Sequence, residues 1–309
     1  AQYFGQKNQE GVRQTVRFKI WMVSLITLFT VILLLAVGDP LILLYLQGEG
    51  TAESVASTLR YGREYLHIML PGLIPFMLVQ VYSSTLRECG KTILPMKAGV
   101  IAVLVNLILN YILIYGKFGA PALGVRGAAI ATVISRFVEC AIVLIHTHRR
   151  AQEHPFVLGL YATLKVPASL MIKIITKGMP LLLNETLWAA GTAMLTQCYS
   201  VRGLNVIAAL NISNTINNVF NIVFIALGES VAIIVGQLLG AGKMDEARDT
   251  DNKMIAFSVF SCVLIAIVML LLAQFFPLLY NTNDEAKKLA TYFIMLTAVF
   301  MPQNAFLHA

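Results

Sequence analysis

The chain has 309 residues, 58% of them hydrophobic and 13% charged, with a mean hydropathy of +0.75. An average soluble domain carries about 25% charged residues, so this composition excludes a water-soluble globule, and the net charge of +7 has to be read from where the charges lie before nucleic acid is invoked. Four cysteines (Cys89, Cys140, Cys198 and Cys262) with no CxxC spacing exclude a disulfide framework and a cysteine-based zinc site.

Eight apolar runs follow one another at about 18–37, 66–86, 98–115, 127–145, 178–201, 206–236, 254–276 and 288–308. A helix needs roughly 20 mainly apolar residues to cross a bilayer core, and these runs lack the period-2 alternation of strands. The predicted fold is an all-α polytopic membrane protein with eight spans. Lys and Arg number four, three, five and three in segments 1–19, 87–97, 146–177 and 240–253. They number two, two, one and two in segments 46–65, 116–126, 202–205 and 277–288. Rich and poor segments alternate, as the positive-inside rule requires. Residue 1 and the 146–177 segment are therefore expected in the cytoplasm, and no nucleic-acid partner is needed to explain the charge.

The chain opens on AQYFGQKNQEGVR, and residues 235–248 read VGQLLGAGKMDEAR. Gln2 aligns with Gln237, Gly5 with Gly240, Glu10 with Asp245, Arg13 with Arg248 and Thr15 with Thr250. Pro40-Leu41 and Pro277-Leu278 follow the next span in each copy, and Tyr65…Pro75 and Tyr292…Pro302 share a ten-residue spacing. An internal duplication is expected. GQLLGAGKM is not a phosphate-binding loop: Gly236 lies one residue too far from Gly242, and Met244 replaces the required Ser or Thr. Instead Gly236 and Gly240 are expected to form a face for close helix packing. Gly242 is expected to end the helix, with Arg13 and Arg248 at the cytoplasmic interface.

Pro71 and Pro75 should kink span 66–86, whereas Pro180 reads as an ordinary residue near a helix start. In span 98–115, Asn106 and Asn110 are spaced i, i+4 on one helix face. In span 127–145, Arg136 and Glu139 read as a self-neutralising pair facing the bundle. His146, His148 and His154 are expected in a solvated cytoplasmic loop, not at a metal. Glu185 stands about seven residues into span 178–201, where an acid is expensive, expected to be buried, and functional by default. In span 206–236, Asn211, Asn214, Asn218 and Asn221 fall within an arc of about 80°, with Glu229 on the same arc and Asn217 off it. Such a stripe suits a wet cavity lining rather than lipid.

The doubled motif, GVRGAAIATVIS at 124–135 and GMPLLLNETLWAAGTAML at 178–195 resemble the multidrug and toxic compound extrusion (MATE) family of efflux transporters, bacterial type. The likeness runs over essentially the whole chain. It implies a parent of 12 spans in two pseudo-symmetric six-helix bundles around a central cavity, from which the first two and last two helices would be missing here. The implied division is 1–145 for the N-terminal lobe, 146–177 for a cytoplasmic linker and 178–309 for the C-terminal lobe. The implied activity is secondary antiport of cationic drugs against Na+ or H+ by alternating access, in the inner (plasma) membrane, as a monomer and with no further cofactor.

By the same resemblance, Glu185 is the cation-coupling carboxylate of the C-lobe, with the amides of Asn184 and Asn304 beside it. A Na+ at Glu185 is the one metal implied. Asn106, Asn110 and Thr132 form the N-lobe polar site, where Asn110 replaces the family's aspartate and cannot titrate. A flippase or exporter of lipid-linked sugars or another metabolite is the alternative on the same fold. It is disfavoured because Arg136 is the one basic residue inside an expected span. No HExxH or GxSxG motif occurs, so an enzyme is not expected.

Overall fold

The computed structural model describes residues 1–45, 52–163, 165–200, 202 and 204–308. Among these residues, ten α-helices follow in chain order: α1 Gln2–Gly5, α2 Gln9–Tyr45, α3 Ala52–Met69, α4 Leu73–Glu88, α5 Ile93–Tyr115, α6 Val125–Arg149, α7 Ala168–Ser200, α8 Leu204–Gly240, α9 Met244–Leu272 and α10 Asp284–His308. Short 3-10 turns stand at Leu70–Gly72, Pro155–Val157 and Phe276–Leu279. The chain folds as two compact units, residues 8–167 and residues 168–309 together with 1–7.

Seven of the eight expected runs lie in helices long and apolar enough to cross a membrane. The eighth, 178–201, lies in α7, a 33-residue helix that is not among the seven. It is long enough, but Pro180, Asn184, Glu185 and Gln197 dilute its apolar character. The expected helix ends were also too tight. The predicted 46–65 loop is helical from Ala52 onward, while its residues 46–51 lie outside those described. Residues 52–65 are polar yet rich in good helix formers, and hydrogen bonding along the backbone does not stop where hydropathy falls. α2 runs through Pro40 to Tyr45, whereas α9 stops at Leu272 and Pro277 opens a 3-10 turn. The two Pro-Leu pairs are therefore used differently. At Pro71 the expected kink is a full break, with α3 ending at Met69 and a 3-10 turn leading into α4. Pro180 lies well inside α7 instead of near its start, where it removes one intrahelical hydrogen bond.

In the unit of residues 8–167, polar contacts tie the helices at both ends. Asp39 on α2 pairs with Arg63 on α3, and Glu64 pairs bidentately with Arg126 on α6. At the other end Lys19 reaches Glu88 (2.6 Å) and Ser84 (3.2 Å) on α4. Arg17, 7% exposed, donates to the carbonyls of Leu160 (2.9 Å) and Gly159 (2.7 Å). Those two bonds hold the 150–163 segment against the helices, with Phe156 and Leu160 buried beneath it. Between α5 and α6, Gly127 lets the backbone of α6 approach the Leu113 carbonyl.

The other unit is held by small side chains. Ala290, Ile294, Ala298, Met301 and Ala305 repeat every three or four residues along α10; Ala290 packs on Ala209 and Ile212 of α8, and the other four pack on Ile216 and Phe224 of α8 and on Cys262, Ala266 and Met269 of α9. Small residues let helices approach closely where lipid offers no hydrophobic drive. At the helix starts, Asn205 donates to Glu285 and accepts from Asn283, both at 2.6 Å.

α1 belongs to this second unit and lies on α8. Its Gly5 faces the Gln237 carbonyl so closely that a Cβ would overlap it. Gly240 faces the Gln2 carbonyl in the same way. The two copies of the motif thus pack on each other, reciprocally. Gly236 supports the same approach, against Ala1. Gly242 adopts φ +77°, the left-handed conformation that closes a helix.

Candidate functional site

On α5 and α6 the expected polar group comes together. Asn106 donates to the Thr132 hydroxyl (3.3 Å), and Asn110 donates to the Asn106 amide oxygen (3.0 Å). The Thr132 hydroxyl also donates to the Ala128 carbonyl (2.9 Å), so its lone pairs are turned toward Asn106. Asn110 Oδ1 is buried and accepts no hydrogen bond. The cluster therefore keeps one oxygen available in a span that is otherwise apolar.

Glu185 corrects the expectation of burial. α7 packs sparsely, and residues 181–198 are all exposed. The carboxylate stands on an open helix face between Asn184 and Thr186, whose hydroxyl is turned back to the Leu182 carbonyl. No hydrogen bond or ion pair joins Glu185 to Asn184 or Asn304 among the described residues. Asn304 is half-buried near the end of α10. The structure does not assemble these three into one site.

The asparagine stripe of α8 divides as its arc suggests. Asn211, Asn214 and Asn218 are exposed and Asn221 is half-buried. Asn217, off the stripe, turns inward to Ser213 (3.2 Å) and to Thr297 of α10 (3.4 Å), and its Oδ1 is buried without a partner. This interior polar bridge was not expected as part of a site. The signal was present, since Asn217 shares a helix face with Ser213, four residues before it.

The structural-motif arginines part company. Arg13 pairs with Glu10 one turn away, and Arg248 is exposed on α9. Arg136 and Glu139 do pair, but at 3.6 Å, and the Arg136 guanidinium lies 4.8 Å over the Phe76 ring.

The histidines are only in part the solvated loop expected: His146 and His148 lie in the last turn of α6, and of the three only His148 is exposed. His154 is 3% exposed. His146 and His154 lie 6.3 Å apart between ring centroids, and His148 stacks on Tyr161. The Tyr161 hydroxyl in turn shares a hydrogen bond with Tyr82. The reason is the fold-back of residues 150–163, which no spacing or hydropathy pattern signals. Burial, then the positive charge of Lys91, holds the His154 imidazole below its ordinary range. Among the described residues no group of three His, Cys, Asp or Glu side chains is placed to hold a metal.

Compared with known proteins, the MatE family pattern matches residues 1–112 and 180–309. The chain belongs to the MatE family. It is 29% identical over 298 residues to a probable multidrug resistance protein NorM of Thermotoga maritima, a match covering 94% of this chain and 61% of that protein. It is 25% identical over 308 residues to a probable NorM of Oceanobacillus iheyensis, covering 99% and 66%. The chain thus spans about two thirds or less of the length of these relatives. Among solved structures, a mutant of the Vibrio cholerae MATE transporter VcmN matches with a TM-score of 0.77 at 21% identity, covering 98% of this chain and 66% of that one. A MOP superfamily transporter from Pyrococcus furiosus matches with a TM-score of 0.78 at 17% identity, covering 99% and 68%. These matches establish the fold, and this MatE chain is a multi-pass membrane protein of a transporter family, not an enzyme.

Proposed function

We propose that this MatE chain forms the core of a secondary antiporter in the bacterial cell membrane that exports organic cations in exchange for Na+ or H+. Family membership, with relatives named as multidrug resistance proteins, carries the reading. Glu185 is the coupling carboxylate: an acid on a helix of this family that keeps its oxygens open to an ion, beside the amide of Asn184. The exposed stripe Asn211, Asn214 and Asn218 with Asn221 supplies a polar lining for a cationic, amphipathic cargo. Asn304 completes the coupling group once α7 and α10 converge. The Asn106–Asn110–Thr132 cluster acts as a neutral oxygen site, since an amide at 110 cannot exchange a proton. The protein works as a monomer. Alternating access follows, in which ion binding and cargo binding exclude one another and each is released on the opposite side.

A second reading has one observation behind it. The Pyrococcus furiosus relative is described as having a binding pocket of reversed polarity that suggests a different function. A flippase or metabolite exporter on this scaffold would need several cationic side chains to grip phosphate, and Arg136 alone provides little.

The test is dye efflux from energised cells lacking their own exporters, under separate Na+ and proton gradients. Wild-type efflux with loss of at least tenfold in Glu185→Gln is expected, and the effective gradient names the ion. Ion-dependent efflux surviving in Glu185→Gln removes Glu185 from the mechanism. Absence of efflux for every cationic dye by well-expressed wild type moves the assignment to another cargo.

A further inference from the structure

One face of α6 carries an open groove of about 550 Å³. Val138, Ala141, Ile142 and Ile145 form its floor, and His146, Arg149 and Arg150 stand at its end. The spacing explains the arrangement. Val138, Ala141, Ile142, Ile145 and Arg149 recur at i, i+3, i+4, i+7 and i+11, which puts them on a single stripe of the helix. Cys140, Val143 and Thr147, buried inside the residue 8–167 unit, lie on the opposite side of α6. The groove is thus turned away from the interior of its own unit, and Ile145 is 52% exposed.

Two properties separate this groove from an ordinary lipid-facing surface. The first is charge. Two adjacent guanidiniums stand at its end, and no acid lines it. Among the described residues the Arg149 guanidinium has neither an ion pair nor a hydrogen bond. Arg150 meets Glu153 at 3.6 Å, with side chains 58% and 51% exposed. That distance is too long for a hydrogen bond, and an exposed pair of this kind holds little. The second property is length. Arg149 lies 11 residues beyond Val138, a rise of about 16 Å. This matches the depth of one leaflet, half of a hydrocarbon core roughly 30 Å thick. An acyl chain laid along the floor therefore ends where a headgroup meets the arginines. Arginine suits a phosphate, because its planar fork donates two hydrogen bonds at once. A free phosphate would leave the apolar floor unused, and a neutral lipid would leave the arginines unused.

We propose that this groove seats one anionic phospholipid, with its phosphate at Arg149 and Arg150 and an acyl chain along Val138, Ala141, Ile142 and Ile145. The positive-inside pattern puts this end of α6 at the cytoplasmic leaflet, where basic residues at helix ends meet anionic headgroups. The choice of leaflet rests on that orientation, whereas the site itself does not. It is also separate from Glu185 and independent of what the protein exports.

The test needs no transport. The protein in nanodiscs of phosphatidylcholine receives a trace of phosphatidylglycerol that carries a diazirine in one acyl chain. After irradiation, labelling within residues 138–150 is read by mass spectrometry. Both leaflets have the same composition, so the result does not depend on orientation. Unlabelled phosphatidylglycerol should suppress the labelling at concentrations at least tenfold below those of added phosphatidylcholine with the same chains. Soluble glycerol phosphate should not suppress it. Arg149→Gln with Arg150→Gln should weaken retention of the lipid by about fivefold per arginine, the scale of one basic residue at an anionic membrane surface. The Lys pair at the same two positions should restore most of the labelling. Lys173→Gln with Lys177→Gln removes the same charge from exposed positions on α7 and should leave the labelling unchanged. Ala141→Trp, which fills the floor without altering charge, should reduce it severalfold at equal melting temperature. Equal competition by the two lipids overturns the proposal, because the face then takes any lipid. Suppression by glycerol phosphate alone overturns it too, since the arginines then hold a free anion. Labelling unchanged in the double Arg→Gln variant does the same.

Discussion

The two units are held together by different means. Residues 8–167 are laced by charge and hydrogen bonds: Asp39–Arg63, Glu64–Arg126, Lys19–Glu88, Arg17 on the 159–160 carbonyls, Asn106 on Thr132. Around α8, α9 and α10 the interior is a seam of alanines and a few large apolar side chains, with Asn217 the main polar bridge. The difference teaches where a membrane helix bundle spends its polar residues. Those at helix ends clamp geometry, and those in mid-span on an open face, such as Glu185 and Asn214, stay exposed and take no part in holding the helices together.

The comparison can be broken most severely at Met269, fully buried between α9 and its neighbours. Met269→Ala should cost about 2–5 kcal/mol, seen as a large drop in melting temperature in nanodiscs; a drop no larger than that of a surface variant would mean the alanine seam is not the main support. In the polar unit the sharpest single change is Arg17→Ala. It leaves two carbonyls without their charged donor, for about 2–3 kcal/mol, and limited proteolysis should then cut within residues 150–163. A cut pattern like wild type would show the segment is held by Phe156 and Leu160 alone.

Acid should act on the same segment more gently. His154 is held below its ordinary value of 6.5, by burial first. The unfolded chain therefore takes the proton before the folded one, so stability is full above about pH 6.5 and falls as pH drops through the folded value. Hydrogen exchange in 150–163 should rise below pH 6, and His154→Gln should flatten that dependence. The smallest effect is expected at Arg63→Gln. That pair is exposed, and surface pairs contribute little, so the melting temperature should stay within experimental scatter. A clear loss would show that the α2–α3 clamp is stronger than its exposure suggests.

What could be read from the sequence follows the same physics. Apolar runs locate helices because lipid leaves few alternatives, and among the described residues seven of the eight lie in helices long and apolar enough to cross a membrane. Their ends could not be read, because α3 and the first turns of α7 are helical without being apolar. The Asn106, Asn110 and Thr132 cluster was accessible, since i, i+4 spacing fixes one face and the family likeness names the neighbour. Glu185 was visible as an anomaly, but periodicity says which way a residue lies on its own helix and not what stands opposite. The burial of His154 needed a loop to fold back, which leaves no trace in spacing.

The reciprocal meeting of Gly5 with Gln237 and of Gly240 with Gln2 has the form of an isologous interface, the kind a two-fold homodimer makes, in which residue i meets j and j meets i. Here both sides belong to one polypeptide. Each glycine is therefore constrained by the other copy's backbone, so a side chain introduced at either position strains both halves of the contact. The motif is repeated because it is its own partner.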